Sequence, residues 1–231
     1  MEEVLARWLA RRDIVAARNR LPFELLKSGR ASIPEAAAIM RFGSMTDDEL
    51  RDIVETSMGR EIVQPAFWPD PRFRNPLQPV VGVSWFEATA YCRWLSEQMG
   101  ATARLPTEDE WDAAAVYLML GVEGSIDAIN VPAEWGETWG NIAELHLSRP
   151  SVVGAFAGPD PLGRGVPADM SGNVFEWVAD PFKPGEDWRR ACKGGSWRHL
   201  ARRAHPGYRG RGDVTTRNDD DGFRVVIEQQ T

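Results

Sequence analysis

The sequence predicts an α+β chain with helices first and a loop-dominated region last. Three observations predict it. Apolar residues recur at helical spacing as far as residue 120. Beyond Gly121 that periodicity stops, and Gly, Pro, Asp and Trp dominate. Within this second region the apolar runs are short and of strand length.

The elements follow in order. Val4, Leu5, Trp8, Leu9, Ile14 and Val15 trace a helical stripe near the start. Ser32-Ile33-Pro34-Glu35 and Thr46-Asp47-Asp48-Glu49 both read as capping boxes, a hydroxyl followed three residues later by a carboxylate. They open helices over 36–41 and 50–58, with Gly43 and Gly59 as stops. Five prolines between Gln64 and Pro79 exclude a helix interior or a central strand, so a loop and a domain boundary are expected near residue 62. Val80-Val81-Gly82-Val83 reads as a short strand. Ser84 and Glu87 cap a helix through Met99, with Ala88, Tyr91, Cys92 and Leu95 on its apolar side. Thr107 and Glu110 cap a second, carrying Trp111, Ala114, Ala115 and Leu118. The runs 151–153, 174–178 and 223–227 are the remaining strand candidates.

Composition bounds the function. Apolar residues at 43% and charged residues at 26% are those of a folded globular chain. No apolar run approaches the ~18 residues that span a bilayer, and the acidic start lacks a secretory pattern, so no membrane segment is expected. Two cysteines, Cys92 and Cys192, are too few for a disulfide scaffold or a four-cysteine zinc site, and a reduced, cytoplasmic location is the expectation. A net charge of −7 argues against nucleic acid as the partner.

Six ordered segments then carry a resemblance: 79–85 with its helix, Arg104 to Trp111, Trp139-Gly140-Asn141-Ile142, Met170 to Trp177, Lys193-Gly194-Gly195-Ser196-Trp197, and Gly222-Phe223-Arg224-Val225-Val226. Together they resemble the formylglycine-generating-enzyme (sulfatase-modifying factor) domain over residues 62–228. The resemblance implies a C-type-lectin-like fold of two helices, short antiparallel sheets and long ordered loops. The expected division is a helical segment, 1–61, and a lectin-fold domain, 62–231.

The family hosts a copper enzyme that makes formylglycine, parts of iron-dependent sulfoxide synthases, variable proteins of diversity-generating retroelements, and non-catalytic modules of bacterial signalling and defence proteins. The copper enzyme uses two cysteines shortly after Gly-Gly-Ser, because Cu(I) prefers soft thiolates. Here no cysteine occurs from Lys193 to Thr231, and Cys192 precedes the motif. The iron relatives use a three-histidine site on a helical domain, and the first 60 residues contain no histidine. An enzyme reading must therefore rest on His199 and His205 with a nearby carboxylate, as an iron or copper oxidase. Neither a nucleophile elbow nor a Walker lysine is present.

The alternative is binding. Residues 193–224 carry eight Lys/Arg and four Asp, a net +4 that leaves −11 for the rest of the chain. Arg, Trp, His and Tyr together are the residue types of binding hot spots. On the resemblance, the exposed face of about 197–220 takes its contacts from Trp197, Arg198, His199, Arg202, His205, Tyr208, Gly210, Gly212, Val214, Thr216 and Asn218. Arg203, Arg209 and Arg224 are expected to tie down loops. One Asn in this segment, Asn218, does not indicate retroelement diversification.

The resemblance also implies a structural calcium at Asp169, Gly172, Val174 and Glu176, an oxygen set suited to a hard cation. A second site would involve Asn141 and the Ile142 carbonyl. Trp85, Trp94, Trp111, Trp139 and Trp177 are expected in the core. The expected whole is a non-catalytic ligand-binding protein with a protein or other macromolecular partner, no redox cofactor, and self-association through the N-terminal helices.

Overall fold

A computed structural model of the chain describes residues 2–18, 20–28, 30, 33–59, 64–120, 140–156 and 167–228. The chain forms two compact units: Met1–Val63 with Arg198–Leu200, and Gln64–Trp197 with Ala201–Thr231. The expected 61/62 boundary lies outside the described residues, as do Ser32 and Trp139.

The first unit contains helices α1 (Glu2–Ala17), α2 (Leu21–Lys27), α3 (Ile33–Ser44) and α4 (Asp47–Gly59). Among the described residues, Leu5 and Leu50 are buried together and packed by Trp8, Leu9, Phe42 and Met45, and Ala36 and Pro22 are buried as well. The α4 capping box forms as the sequence predicts. The Thr46 N–H donates to Glu49 Oε2 at 2.7 Å, and the Glu49 N–H donates back to Thr46 Oγ1 at 3.2 Å. Gly43 does not stop α3, which runs on to Ser44. Ile14 of the predicted stripe faces outward.

In the second unit, helices α5 (Trp85–Met99) and α6 (Glu108–Leu120) precede a four-stranded sheet. Ser84 and Glu87 close a full capping box on α5, and Gly100 ends it in the left-handed conformation. Glu110 accepts the Thr107 N–H at 2.8 Å and caps α6 likewise. The strands are β1 (Ala103–Arg104), β2 (Phe175–Pro181), β3 (Arg189–Lys193), β4 (Gly210–Asp213), β5 (Asp221–Phe223) and β6 (Val226–Ile227), with a short helix α7 (Ala201–Ala204) between β3 and β4. β1 pairs with β6, and the larger sheet has the order β4-β3-β2-β5. Pairing is antiparallel except for β2 with β5, which is parallel and departs from the all-antiparallel expectation.

Alternation along β2 sends Phe175 and Trp177 to one face and Val174 and Glu176 to the other. The first face meets α5 through Ala88 and Cys92, with Leu105 and Cys192 completing the cluster. The second meets Trp111 of α6, whose indole donates to Glu176 at 2.6 Å. Val174 joins Phe73, Val81 and Trp197 in a separate cluster.

Two strand expectations are corrected. Residues 80–83 form no strand, because Gly82 adopts φ 74° and its N–H donates to the carbonyls of Asn218 and Asp221 rather than to a ladder. Residues 151–153 run into a turn, pinned by the Val153 N–H on the Leu77 carbonyl. Trp94 is also corrected: it and Tyr91 lie on the solvent side of α5, whereas Trp111 and Trp177 are fully buried. Among the described residues no helix is long and apolar enough to cross a membrane.

Candidate functional site

The segment after Gly-Gly-Ser is tied into the second unit by buried hydrogen bonds. Ser196 donates to Asp220 at 2.7 Å, and Ser171 donates to the Ala204 carbonyl at 2.9 Å. The first bond joins the two ends of the 197–220 segment, and the second anchors its short helix at Ala204. Asn173 accepts from the Ser151 N–H at 2.9 Å and binds the neighbouring 140–156 loop to the same block.

The predicted contact residues divide. Trp197 is only 5% exposed, and its indole points into the Phe73/Val81/Val174 cluster. Gly210 and Gly212 lie over the core. A Cβ on Gly210 would meet the Cys192 carbonyl at 2.9 Å, and one on Gly212 would meet the Trp177 ring at 2.2 Å. Val214 is buried. These four are therefore packing residues, a correction to the expected face. The two glycines are covered by Phe175 and Trp177, and Trp197 by Phe73, Val81 and Val174, all from distant stretches of sequence.

The other predicted contacts reach solvent to differing degrees. Arg202 and Asn218 are exposed, and His205, Tyr208 and Thr216 are half-buried. Arg198 and His199 are half-buried and fall with the first unit. The His205 Nδ1 accepts the Gly207 N–H at 3.0 Å, so one ring nitrogen holds a turn. Tyr208 stacks near Phe175 and lies under the Arg203 guanidinium, 5.7 Å from its centroid. Among the described residues no group of three or more His, Cys, Asp or Glu is arranged to hold a metal ion. Burial pushes the thiols of both Cys92 and Cys192 upward, the more so at Cys192, away from the thiolate form that binds copper.

Much of the basic charge is structural. Arg224 pairs with Glu176 at 2.5 Å and donates to the Ala168 carbonyl at 3.1 Å. Arg209 pairs with Glu108 at 2.7 Å and donates to the carbonyls of Pro181 and Phe182. Arg217, which the sequence did not mark as structural, bonds Glu87 at 2.8 Å and the Gln64 carbonyl at 3.0 Å. Lys193 is buried against Asp112 at 2.7 Å. Desolvation raises the Asp112 pKa despite that partner. The signal missed for Arg217 and Lys193 is long-range: their acids lie on α5 and α6.

The calcium donor set does not fit as expected. Both Glu176 oxygens are taken: Oε2 by Trp111 and Arg224, and Oε1 by Arg224 at 2.6 Å. The guanidinium already supplies the positive charge there. Asp169 differs. Its Oδ2 accepts the Gly154 N–H at 2.7 Å, but its buried Oδ1 has no partner, and burial raises its pKa. The buried Asn141 Oδ1 is also unpartnered. Of the two carboxylates in the expected set, Glu176 is thus taken up by Arg224 and Trp111, and only Asp169 keeps an unpartnered oxygen.

The family model described as Sulfatase-modifying factor enzyme 1-like domain matches residues 33–229. An "Inactive C-alpha-formylglycine-generating enzyme 2" of Bos taurus is 31% identical over 180 residues, 68% of this chain and 54% of that protein. A "Hercynine oxygenase" of Mycolicibacterium thermoresistibile is 29% identical over 206 residues, 74% of this chain and 43% of that protein. The solved structure "Treponema denticola variable protein 1" superposes with TM-score 0.57 at 21% identity, covering 75% of this chain and 80% of that one. That last likeness shows the fold alone. The chain spans about half the length of these two curated relatives.

Proposed function

We propose, from the premise that this chain belongs to the Sulfatase-modifying factor enzyme 1-like domain family, that it is a non-catalytic ligand-binding member. It presents part of its C-terminal segment to a protein or other macromolecular ligand. The observation that carries this reading is the missing chemistry after Gly-Gly-Ser. No cysteine follows Lys193, and the chain's own cysteines are buried. A thiolate pair for copper has no place to form. The similarity to a relative named inactive supports the same reading.

The presented surface is narrower than the sequence suggests. With Trp197, Gly210, Gly212 and Val214 turned inward, the predicted contacts left within the second unit are Arg202, His205, Tyr208, Thr216 and Asn218, and exposed Arg211 joins them. Such a set of rigidly based polar groups suits a folded or extended polypeptide. A retroelement-diversified protein or a bacterial defence or signalling component would use it so. Calcium, if bound, is structural and would draw on Asp169 or Asn141, with no part in chemistry.

The second reading is a metal-dependent oxidase, and the similarity to hercynine oxygenases favours it. Oxygen uptake separates the two. The protein is loaded with Cu(I) or Fe(II) and given a cysteine-containing peptide. The binding reading predicts no uptake above that of free metal. Metal-dependent uptake abolished by His199→Ala or His205→Ala overturns it.

A further inference from the structure

The outermost strand of the larger sheet offers a docking edge of defined chemistry. Among the described residues β4 pairs only with β3, in the register Arg189↔Asp213, Arg190↔Gly212, Ala191↔Arg211 and Cys192↔Gly210. The Val214 N–H donates to the Trp188 carbonyl at 3.0 Å, which makes 188 and 214 a hydrogen-bonded pair. Antiparallel ladders alternate, so the backbone groups of 210, 212 and 214 point at β3 and those of 211 and 213 point outward. The Asp213 carbonyl takes the Thr216 N–H at 2.8 Å. The open rung is therefore the N–H and C=O of Arg211.

The side chains around that rung favour acid. Arg211 is exposed, and its guanidinium sits 5.4 Å from the Phe182 centroid, beside Arg209 at 4.8 Å. Glu108 neutralises Arg209. Among the described residues no carboxylate forms an ion pair with Arg211. Asp213, the one acid on the strand, is turned to Arg189 at 3.4 Å. Gly210 and Gly212 present no side chains, so an approaching backbone meets a smooth edge. An unpaired edge carrying one uncompensated cation repels basic strands and admits acidic ones.

We propose that an extended, acidic peptide segment of a partner protein adds to β4 as a fifth strand. It exchanges two backbone hydrogen bonds with Arg211 and sets a carboxylate against the Arg211 guanidinium. This inference rests on the ligand-binding reading above and names the partner chemistry for it.

The test uses the full chain and three decapeptides: Ac-(Glu-Val)5-amide, the same peptide N-methylated throughout, and Ac-(Lys-Val)5-amide. Amide hydrogen exchange is followed by NMR. The acidic peptide should slow exchange at Arg211 on the order of tenfold, and the other two should not. Arg211→Glu should abolish the protection, while Arg211→Gln, which keeps the rung, should weaken it less; near-UV circular dichroism verifies that both variants fold. Unchanged exchange at Arg211 at millimolar acidic peptide, or equal binding of the N-methylated peptide, overturns the inference. Protection confined to Arg202 and His205 would sink the edge but keep the ligand-binding reading. Metal-dependent oxygen uptake would instead sink that reading itself.

Discussion

The two units hold themselves together in different ways. The first is nearly all helix, and among the described residues its buried side chains are small or aliphatic: Leu5, Leu50, Ala36 and Pro22. The second has little regular structure but buries whole tryptophans and a network of charged and amide groups. Trp177 is fully buried, with its indole on the Val83 carbonyl at 3.0 Å, and Glu176 is held by Trp111 and Arg224. Regular secondary structure is thus no measure of how firmly a region is fixed. In the second unit, the described loops are held because their polar groups find buried partners far away in sequence.

Substitutions sharpen that contrast. The largest effect is expected at the centre of the second unit. Trp177→Ala removes a fully buried indole and should cost about 4 kcal/mol in denaturant unfolding. Arg224→Gln should cost about 3 kcal/mol, because it leaves the buried Glu176 carboxylate without its counter-ion. Leu50→Ala should cost about 2–3 kcal/mol, read from helical circular dichroism, and should leave the near-UV signal of Trp177 in place. Loss of both signals together would break the contrast between the units.

Smaller effects probe the charges. Asp169→Asn should stabilise the protein by about 1 kcal/mol in the absence of calcium, since it removes a buried charge whose Oδ1 lacks a partner. The left-handed φ of 56° at this position suits Asn equally well. Destabilisation by the same change, seen only when calcium is present, would place the cation at Asp169. The smallest effect concerns Glu110, whose pKa Arg104 lowers from 4.5 to about 2. A lowered carboxylate pKa adds stability that is fully present above the unfolded value of 4.5 and is lost as pH falls towards 2. Both side chains are more than a third exposed or close to it, so screening reduces the pair to under ~1 kcal/mol. Arg104→Gln should flatten stability between pH 5 and pH 2 by that amount.

The same contrast explains what the sequence made legible. Capping boxes at Thr46, Ser84 and Thr107 are local signals, and each helix begins where its box lies. The Gly/Trp motifs are local too and carried the fold and the family, and the missing cysteine pair, equally local, bore on function. The inward turn of Trp197, Gly210 and Gly212 was not legible, because it is set by Phe175, Trp177, Phe73 and Val174, which are distant in sequence. Nor was the filling of Glu176 by Arg224, since a carboxylate in a calcium-like pattern and one in an ion pair look alike in one dimension. The parallel pairing of β2 with β5, which brings Glu176 level with Gly222 beside Arg224, depends on topology rather than on any local pattern.

The central claim is that this family member binds rather than catalyses, and metal content tests it most directly. Protein purified without added metal or chelator should contain no stoichiometric iron or copper by elemental analysis. Stoichiometric iron or copper that disappears in His199→Ala or His205→Ala protein would contradict the account and establish a redox centre on the segment assigned to binding.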